Sequence, residues 1–127
     1  MLSIIRYPSA KPLPLSRAVQ AGCFLFLSGV LPADAQGNPV SGDIRLETQA
    51  VLQTIDTTLT ELGASRADVV RASVWLADLG DFAAFNEEYA RYFGTHLPAR
   101  STVQAALNRG AKVEVEVQAW LEDRSRG

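Results

Sequence analysis

The residues best suited to chemistry lie in one segment near the C-terminal end, PARSTVQAALNRGAKVEVEVQAW, residues 98–120. It contains Arg100, followed fourteen residues later by Glu114 and then by Glu116. Side chains two residues apart on a strand point the same way, about 6.7 Å apart, so the two glutamates would share one face. Such a pair is unfavourable on a strand unless water or a function accounts for it.

An arginine and a carboxylate that flank one cleft could hydrolyse a substrate. A guanidinium binds a planar carboxylate through two parallel hydrogen bonds, and a nearby glutamate can hold and activate water. If the two strands come together, within a chain or across subunits, Arg100 and Glu114 would suit hydrolysis at the carbon next to a substrate carboxylate. On spacing alone, an Arg–Glu salt bridge at an interface is the stronger interpretation.

Composition limits the class of protein. The 127 residues predict a single domain over 1–127, and a net charge of −2 with scattered Lys and Arg argues against a nucleic-acid partner. The one cysteine, Cys23, lies in an apolar run and is expected to be a small buried hydrophobe rather than a reactive thiol. One cysteine and one histidine, His96, give no metal-ligand cluster. Carboxylate-only metal sites stay possible, although no spacing suggests one.

The apolar stretches do not indicate a membrane segment. The N-terminal MLSIIRYPSAKPLP lacks the charged-then-apolar order of a signal peptide. The longest apolar run, AGCFLFLSGVLPA, is too short to span a bilayer and stops at Pro32. We therefore expect a soluble cytoplasmic protein without a membrane partner.

Hydrophobic periodicity and turn residues predict an α+β chain with two helices and about five strands, in the order β-β-α-β-α-β-β. Residues 1–14 are expected to be irregular, because three prolines interrupt them. Strands are predicted at 14–22, at 23–29 and at 67–78, with two more on either side of LNRGA. In the 67–78 strand, one face is predicted to carry Val70, Ala72, Val74 and Leu76.

Each predicted helix has one apolar face. The first repeats large apolar residues at three- and four-residue steps and ends at Gly63. Those residues are Leu52, Ile55, Leu59 and Leu62. The second covers 78–94, with Asp81 as a fitting N-cap and Gly94 as its end. Its aromatic stripe, expected to be core, consists of Phe82, Phe85, Tyr89 and Phe93.

The predicted sheet is covered on one side only. The helices are expected to pack on the apolar residues of the last strand, which are Val113, Val115, Val117 and Ala119. The other face would then carry Arg100, Thr102, Gln104, Glu114, Glu116, Gln118 and Trp120. A face that mixes charges with hydrophobes is more often an oligomer interface or a pocket wall than an open surface.

The segment PARSTVQ…KVEVEV closely resembles the signature of the RidA/YjgF family of imine deaminases. FLSGVLPAD, DVVRASVWLADLGDFAAFNEEYARYFG and HLPARSTV resemble other parts of that family in the same order, over about residues 14–121. The resemblance implies a chorismate-mutase-like fold, with two helices on one face of a mixed sheet of five to six strands. It also implies a homotrimer with three clefts between subunits. The implied reaction is hydrolysis of 2-imino acids to 2-keto acids and ammonia, without metal or organic cofactor.

The resemblance also implies roles for individual residues. Arg100 matches the arginine that clamps the substrate carboxylate, and Glu114 matches the glutamate that positions the hydrolytic water. Ser28 and Gly29 match a Ser-Gly pair that lines the pocket. Glu116 is then structural, and Asn86 in FNEEY is interpreted as a surface or cap-network residue.

Two pocket positions depart from the commonest members. Thr102 stands where many have cysteine; its side chain is expected to line the cleft, and its backbone N–H to support the carboxylate. Leu15 stands where many have a tyrosine, which removes one polar contact. The loop between Arg100 and Glu114 also looks about one residue shorter. These differences leave the substrate range open.

Two other functions stay open beside the deaminase. Leu15 favours a binding or regulatory module that holds a keto acid or another small carboxylate without turnover. Endoribonuclease activity is reported for some family members, but the acidic composition and the absence of a basic stripe argue against it.

Overall fold

The computed structural model of the protein describes residues 3–122. Its strands are β1 (Ile4–Pro8), β2 (Ser16–Ala21), β3 (Phe24–Leu27), β4 (Val69–Leu76), β5 (Ala99–Gln104) and β6 (Val113–Trp120). Its helices are α1 (Ile44–Glu61) and α2 (Phe82–Phe93). The α+β class and the order of the seven predicted elements are therefore confirmed, with one further strand at the start.

All six strands form one mixed sheet in the order β1-β2-β3-β6-β4-β5. The pairs are antiparallel except β4 and β5, which are parallel because α2 carries the chain from one to the other. In this order, β5 lies at one edge of the sheet, and β4 separates it from β6.

The N-terminal segment is not wholly irregular, which corrects the prediction for residues 1–14. Residues 4–8 pair antiparallel with β2, from Ile4 opposite Ala21 to Pro8 opposite Ser16. Proline is tolerated in an edge strand and at a strand end, because no neighbouring strand needs its missing N–H there. Pro8 is the last residue of edge strand β1, and Pro12 and Pro14 lie beyond it.

One face of the sheet packs on the helices, as predicted. We call this side the helix face and the other the open face. On β6, the helix face carries four fully buried residues, Val113, Val115, Val117 and Ala119, and the open face carries Glu114, Glu116, Gln118 and Trp120. The helices complete the core mainly with Val51, Leu52, Ile55, Leu59, Phe85, Tyr89 and Phe93.

α1 ends just before its predicted glycine, and α2 begins at its predicted N-cap and ends at its predicted glycine. The side chain of Asp43 caps α1 by accepting a hydrogen bond from the Leu46 N–H at 2.9 Å, and Gly63 follows the helix with φ of +83°. Asp81 occupies the N-cap of α2, although its side chain makes no capping hydrogen bond. Gly94 ends α2, as expected.

Val70 does not share the buried face of Ala72, Val74 and Leu76 as predicted, and Phe82 is not part of the core. Val70 is 45% exposed while Val69 is buried, because a bulge between Val69 and Arg71 shifts the β4–β6 register by one residue. Phe82, the first residue of α2, is 43% exposed, so the buried aromatic stripe begins at Phe85.

Candidate functional site

Arg100 lies on the helix face, not on the open face as predicted. It stands opposite Ala72 on β4, and Ala72 in turn stands opposite Val117 on β6. Directly opposed residues in a sheet point to the same side. Arg100 therefore shares its side with the buried valines, and Thr102 and Gln104 follow it because they lie two and four residues further along β5. The parallel β4–β5 pairing decides which residues of β5 face the helices. The alternation of residues along a strand could not predict this.

α2 surrounds the guanidinium of Arg100. Its Nη2 donates a hydrogen bond to Oδ1 of Asn86 at 2.7 Å. Its Cζ lies 5.6, 5.3 and 4.8 Å from the ring centroids of Phe82, Phe85 and Tyr89. An open pocket of about 340 Å³ adjoins it, lined by Asn86, Tyr89, Ala90, Leu97, Pro98 and Arg100.

Asn86 is the contact that the sequence interpretation missed. It is not simply a surface residue, since it binds the candidate carboxylate clamp directly. The available signal was its helical spacing, because Asn86 lies four residues after Phe82 and three before Tyr89, which places it on the aromatic face.

Thr102 presents its backbone rather than its hydroxyl to the free edge of β5. The Ala105 N–H donates to the Leu76 carbonyl, and in a parallel ladder every second residue bonds in this way. Ser101 and Val103 therefore bond to β4, and the N–H of Thr102 points away from the sheet. Its Oγ1 is buried and has no hydrogen-bond partner within residues 3–122.

The hydroxyl of Tyr89 is also buried without a partner in the described part of the chain. Burial raises the pKa of Tyr89 to about 12, against the opposing effect of the positive charge of Arg100. The phenol therefore stays neutral beside the guanidinium at physiological pH.

Glu114 lies on the open face, where it stands opposite Trp75 of β4. Neither Glu114 nor its neighbour Glu116 forms a hydrogen bond or salt bridge with the residues that the structure describes. Burial raises the pKa of Glu114 above its ordinary value, and the negative charge of Glu116 raises it further. Glu114 is therefore a partly buried carboxylate that no cation of residues 3–122 neutralises.

Gly29 lies directly against the carboxylate of Glu114. Val30 and Val115 form a two-way backbone bridge, with N–H to carbonyl distances of 2.8 and 3.2 Å, which brings Gly29 beside β6. A Cβ built on Gly29 would overlap Oε2 of Glu114. A side chain at this position would therefore require the Glu114 carboxylate to move.

Ser28 and Leu15 lie close to the same end of β3. Oγ of Ser28 donates to the Ser16 carbonyl at 2.6 Å, so its hydroxyl ties β3 to the start of β2. Leu15 immediately precedes Ser16 and is 48% exposed. The structure thus brings Ser28 and Gly29 together near Glu114 and places Leu15 next along β2.

The two halves of the predicted site are separated within one chain. Arg100 and Thr102 lie on β5, with the Arg100 side chain on the helix face, whereas Glu114 and Gly29 lie at the open face of β6. Counting two strand spacings and three residues, the Cα atoms of Arg100 and Glu114 are about 14 Å apart. A single subunit therefore does not place the guanidinium and the carboxylate around one cleft.

Residues 3–122 contain no group of three or more His, Cys, Asp or Glu side chains that could hold a metal ion. Over the same residues, neither helix is long and apolar enough to cross a membrane.

The fold and the site define an α+β protein with helices on one sheet face and, at a sheet edge, an arginine that no acidic residue of 3–122 neutralises. The family model described as Endoribonuclease L-PSP matches residues 8–121. A RutC family protein of Pyrococcus abyssi is 43% identical over 88% of this chain and 91% of its own. The chloroplastic Reactive Intermediate Deaminase A of Arabidopsis thaliana is 44% identical over 85% of this chain and 59% of its own.

A solved structure from Yersinia pestis, described as a protein of unknown function of the Rid family, superposes with a TM-score of 0.84. It is 37% identical and covers 91% of this chain and 94% of its own. The chain belongs to the RidA/YjgF family.

Proposed function

We propose that the protein hydrolyses 2-imino acids such as 2-iminopropanoate and 2-iminobutanoate to 2-keto acids and ammonia. The observation that carries the proposal is the guanidinium of Arg100, which is fixed by neutral groups and adjoins an open pocket. A fixed cation without a carboxylate partner is suited to bind an anion. Membership of a family that includes a named reactive intermediate deaminase supports the same reaction.

The separation of the two halves leads us to propose that two copies of the chain form each site. Arg100 and Thr102 would come from one subunit, and Glu114, Gly29 and Ser28 from its neighbour. A contact between two different surfaces closes into a ring when the rotation allows it. A homotrimer with the open faces inward gives three such clefts and matches the resemblance.

The open face has the character that this assembly requires. Phe24, Phe26 and Trp120 form an exposed aromatic cluster there, with ring centroids 5.9 and 5.0 Å apart for the Phe24–Phe26 and Phe24–Trp120 pairs. Exposed aromatic groups next to polar ones are typical of interfaces.

In the proposed reaction, Arg100 and the N–H of Thr102 bind the carboxylate of the imino acid. Glu114 takes a proton from water as the water oxygen attacks the imine carbon and passes it to the imine nitrogen, which gives a tetrahedral carbinolamine with one OH and one NH₂ group. Glu114 then takes the hydroxyl proton and delivers it to nitrogen, so the C–N bond breaks and ammonia leaves as the C=O forms. A base with a raised pKa is suited to both proton transfers at neutral pH.

The remaining predicted residues would shape the pocket. Gly29 leaves room for the Glu114 carboxylate, and Ser28 fixes the strand end on which Gly29 lies. Leu15 would present an apolar surface to the substrate side chain. The scheme calls on no metal or organic cofactor.

The description of the matched family model keeps endoribonuclease as a second candidate. The net charge of −2 weighs against it. Ribonuclease activity that survives Arg100→Ala and falls steeply with salt would favour it. Saturable keto-acid binding without faster imine hydrolysis would favour a binding module instead.

The deciding experiment mixes two variants that have each lost most or all of their activity. Imines generated by an amino-acid oxidase are offered with semicarbazide as a competing trap, and oligomeric state is measured by sedimentation. Arg100→Ala should abolish turnover because the carboxylate anchor is lost. Glu114→Gln should retain only weak activity.

Refolding both variants together should restore about a quarter of wild-type turnover, because one cleft in four then combines an intact Arg100 with an intact Glu114. Absence of any recovery in mixed oligomers would contradict a shared site. Absence of turnover by the wild-type protein on every imine tested would contradict the deaminase.

A further inference from the structure

One face of α2 encloses the guanidinium of Arg100. Phe82, Phe85, Asn86 and Tyr89 follow the spacing i, i+3, i+4, i+7, which brings them to one side of a helix. We propose that this set, here called the Arg100 cradle, is a positioning device that orients the guanidinium of Arg100 for a carboxylate without neutralising it. Asn86 is its central positioning residue. The proposal rests on the proposed function for its ligand, but not for its geometry.

The cradle holds the guanidinium without consuming its binding capacity. A guanidinium has five N–H donors, and the 2.7 Å bond to Asn86 uses one of them. The aromatic rings attract the positive charge through their π faces and accept no classical hydrogen bond. Within residues 3–122 the other four donors form no hydrogen bond, so they and the positive charge are available to a ligand.

A carboxylate in the place of the Asn86 amide would act differently. It would bind Arg100 through two charge-assisted hydrogen bonds and neutralise it. It would thus occupy the donors that a substrate carboxylate needs. The neutrality of Asn86 is the chemical feature on which the proposal depends.

The acidic residues next to Asn86 are held elsewhere. Glu87 pairs with Arg45 at 3.1 Å, and Glu88 pairs with Arg45 at 3.0 Å and with Arg91 at 2.6 Å. Within residues 3–122, Arg100 forms no salt bridge. The helix thus points its acids towards α1 and its neutral groups towards Arg100.

The cradle also supplies preorganisation. Arg100 extends from an edge strand, where a long side chain would otherwise sample many rotamers. Restricting it before the ligand arrives removes an ordering cost from binding. Phe82 is the exposed rim of the cradle, while Phe85 and Tyr89 form its buried floor.

The test compares Asn86→Asp with Asn86→Ala. We expect the Kd for 2-ketobutyrate, and the KM for the corresponding imine, to rise about 100-fold in Asn86→Asp and about 10-fold in Asn86→Ala. The change in kcat should be smaller than the change in KM. A merely structural Asn86 predicts the reverse order, since aspartate has nearly the same shape as asparagine.

Two controls isolate the cradle. Gln53→Glu makes a similar amide-to-carboxylate exchange at an exposed position on α1, and Glu87→Gln changes the neighbouring residue on α2. Both should bind 2-ketobutyrate as the wild type does. Phe82→Leu, at an exposed position that does not threaten the core, should raise the Kd by about threefold through loss of one cation–π contact.

A second measurement does not depend on the deaminase assignment. We expect ¹⁵N relaxation of the Arg100 Nε–H to give a rigid order parameter in the wild type, falling below about 0.6 in Asn86→Ala. Equal Arg100 order in both proteins, or wild-type binding by Asn86→Asp, would overturn the cradle. If the wild type neither binds 2-ketobutyrate nor hydrolyses imines, the proposed function fails while the relaxation result still decides the cradle.

Discussion

Glu88 is buried and Glu114 is half-buried, and the two carboxylates have opposite electrostatic surroundings. Glu88, 5% exposed on α2, accepts hydrogen bonds from Gln49, Arg45 and Arg91. The Gln49 bond, together with those from Arg91 and Arg45, lowers the pKa of Glu88 to about 2 despite its burial. Glu114 has no such partners within residues 3–122, and burial raises its pKa.

This difference separates a structural carboxylate from one that is available for chemistry. Glu88 joins α2 to α1 through fully used oxygen atoms, so its charge stabilises the fold. The oxygen atoms of Glu114 are free to hold water, and a raised pKa brings proton exchange closer to neutral pH. The same residue type therefore has two uses, set by whether cations and amides surround it.

Among the changes that compare Glu114 with Glu88, the largest expected effect comes from Glu114→Gln. We expect kcat to fall by about 10²–10⁴, the usual range for one general acid–base group. The acidic limb of the wild-type rate profile should lie above the ordinary glutamate pKa of 4.5 because the pKa of Glu114 is raised, and this limb should disappear in the variant. Wild-type rates in Glu114→Gln would show that Glu114 does not transfer the proton.

A smaller effect is expected from Gly29→Ala. The added Cβ would overlap the Glu114 carboxylate and displace it, so we expect kcat to fall by roughly tenfold, on the scale of a small misplacement of a reacting group. Thermal unfolding should change little, because Gly29 is exposed and needs no left-handed backbone. An unaltered kcat would mean that the Glu114 position is not critical.

Glu88→Gln should affect stability rather than turnover. Loss of the charge-assisted bonds should lower the free energy of unfolding by about 1–3 kcal/mol near neutral pH. Because folding lowers the pKa of Glu88 from 4.5 to about 2, its contribution is present above pH 4.5 and lost as the pH falls through about 2.

Urea unfolding from pH 7 to pH 2 measures this loss. The matched control is Glu87→Gln, because exposed Glu87 shares the partner Arg45 and should cost less than about 1 kcal/mol. Glu114 has the opposite sign: its contribution is present below pH 4.5 and lost as the pH rises through its raised pKa. If Glu88→Gln and Glu87→Gln lowered the free energy of unfolding equally, the buried Glu88 would contribute no more to stability than the exposed Glu87.

The residues that repeat at strand or helix spacing were predictable, and so was the side of β6 that Val113 and Val115 bury. The role of Asn86 was harder to predict, because its partner Arg100 lies fourteen residues away on another element. The strand β1 was not predicted, because prolines argue against a strand unless it lies at a sheet edge, and the sequence does not show that β1 lies at one. The bulge at Val70 could not be predicted, because hydrophobic alternation along the sequence does not reveal an extra residue in a strand.

The sequence by itself determined the α+β class, the two helices, the family and the identity of the candidate pair Arg100 and Glu114. Only the tertiary structure decided that the pair lies on opposite faces of the sheet, that α2 holds Arg100, and that Gly29 lies against Glu114. Alternation along a strand gives a period of two but not the phase of one strand relative to another. That phase follows from the parallel β4–β5 register, which the packing of the whole sheet on its helices fixes.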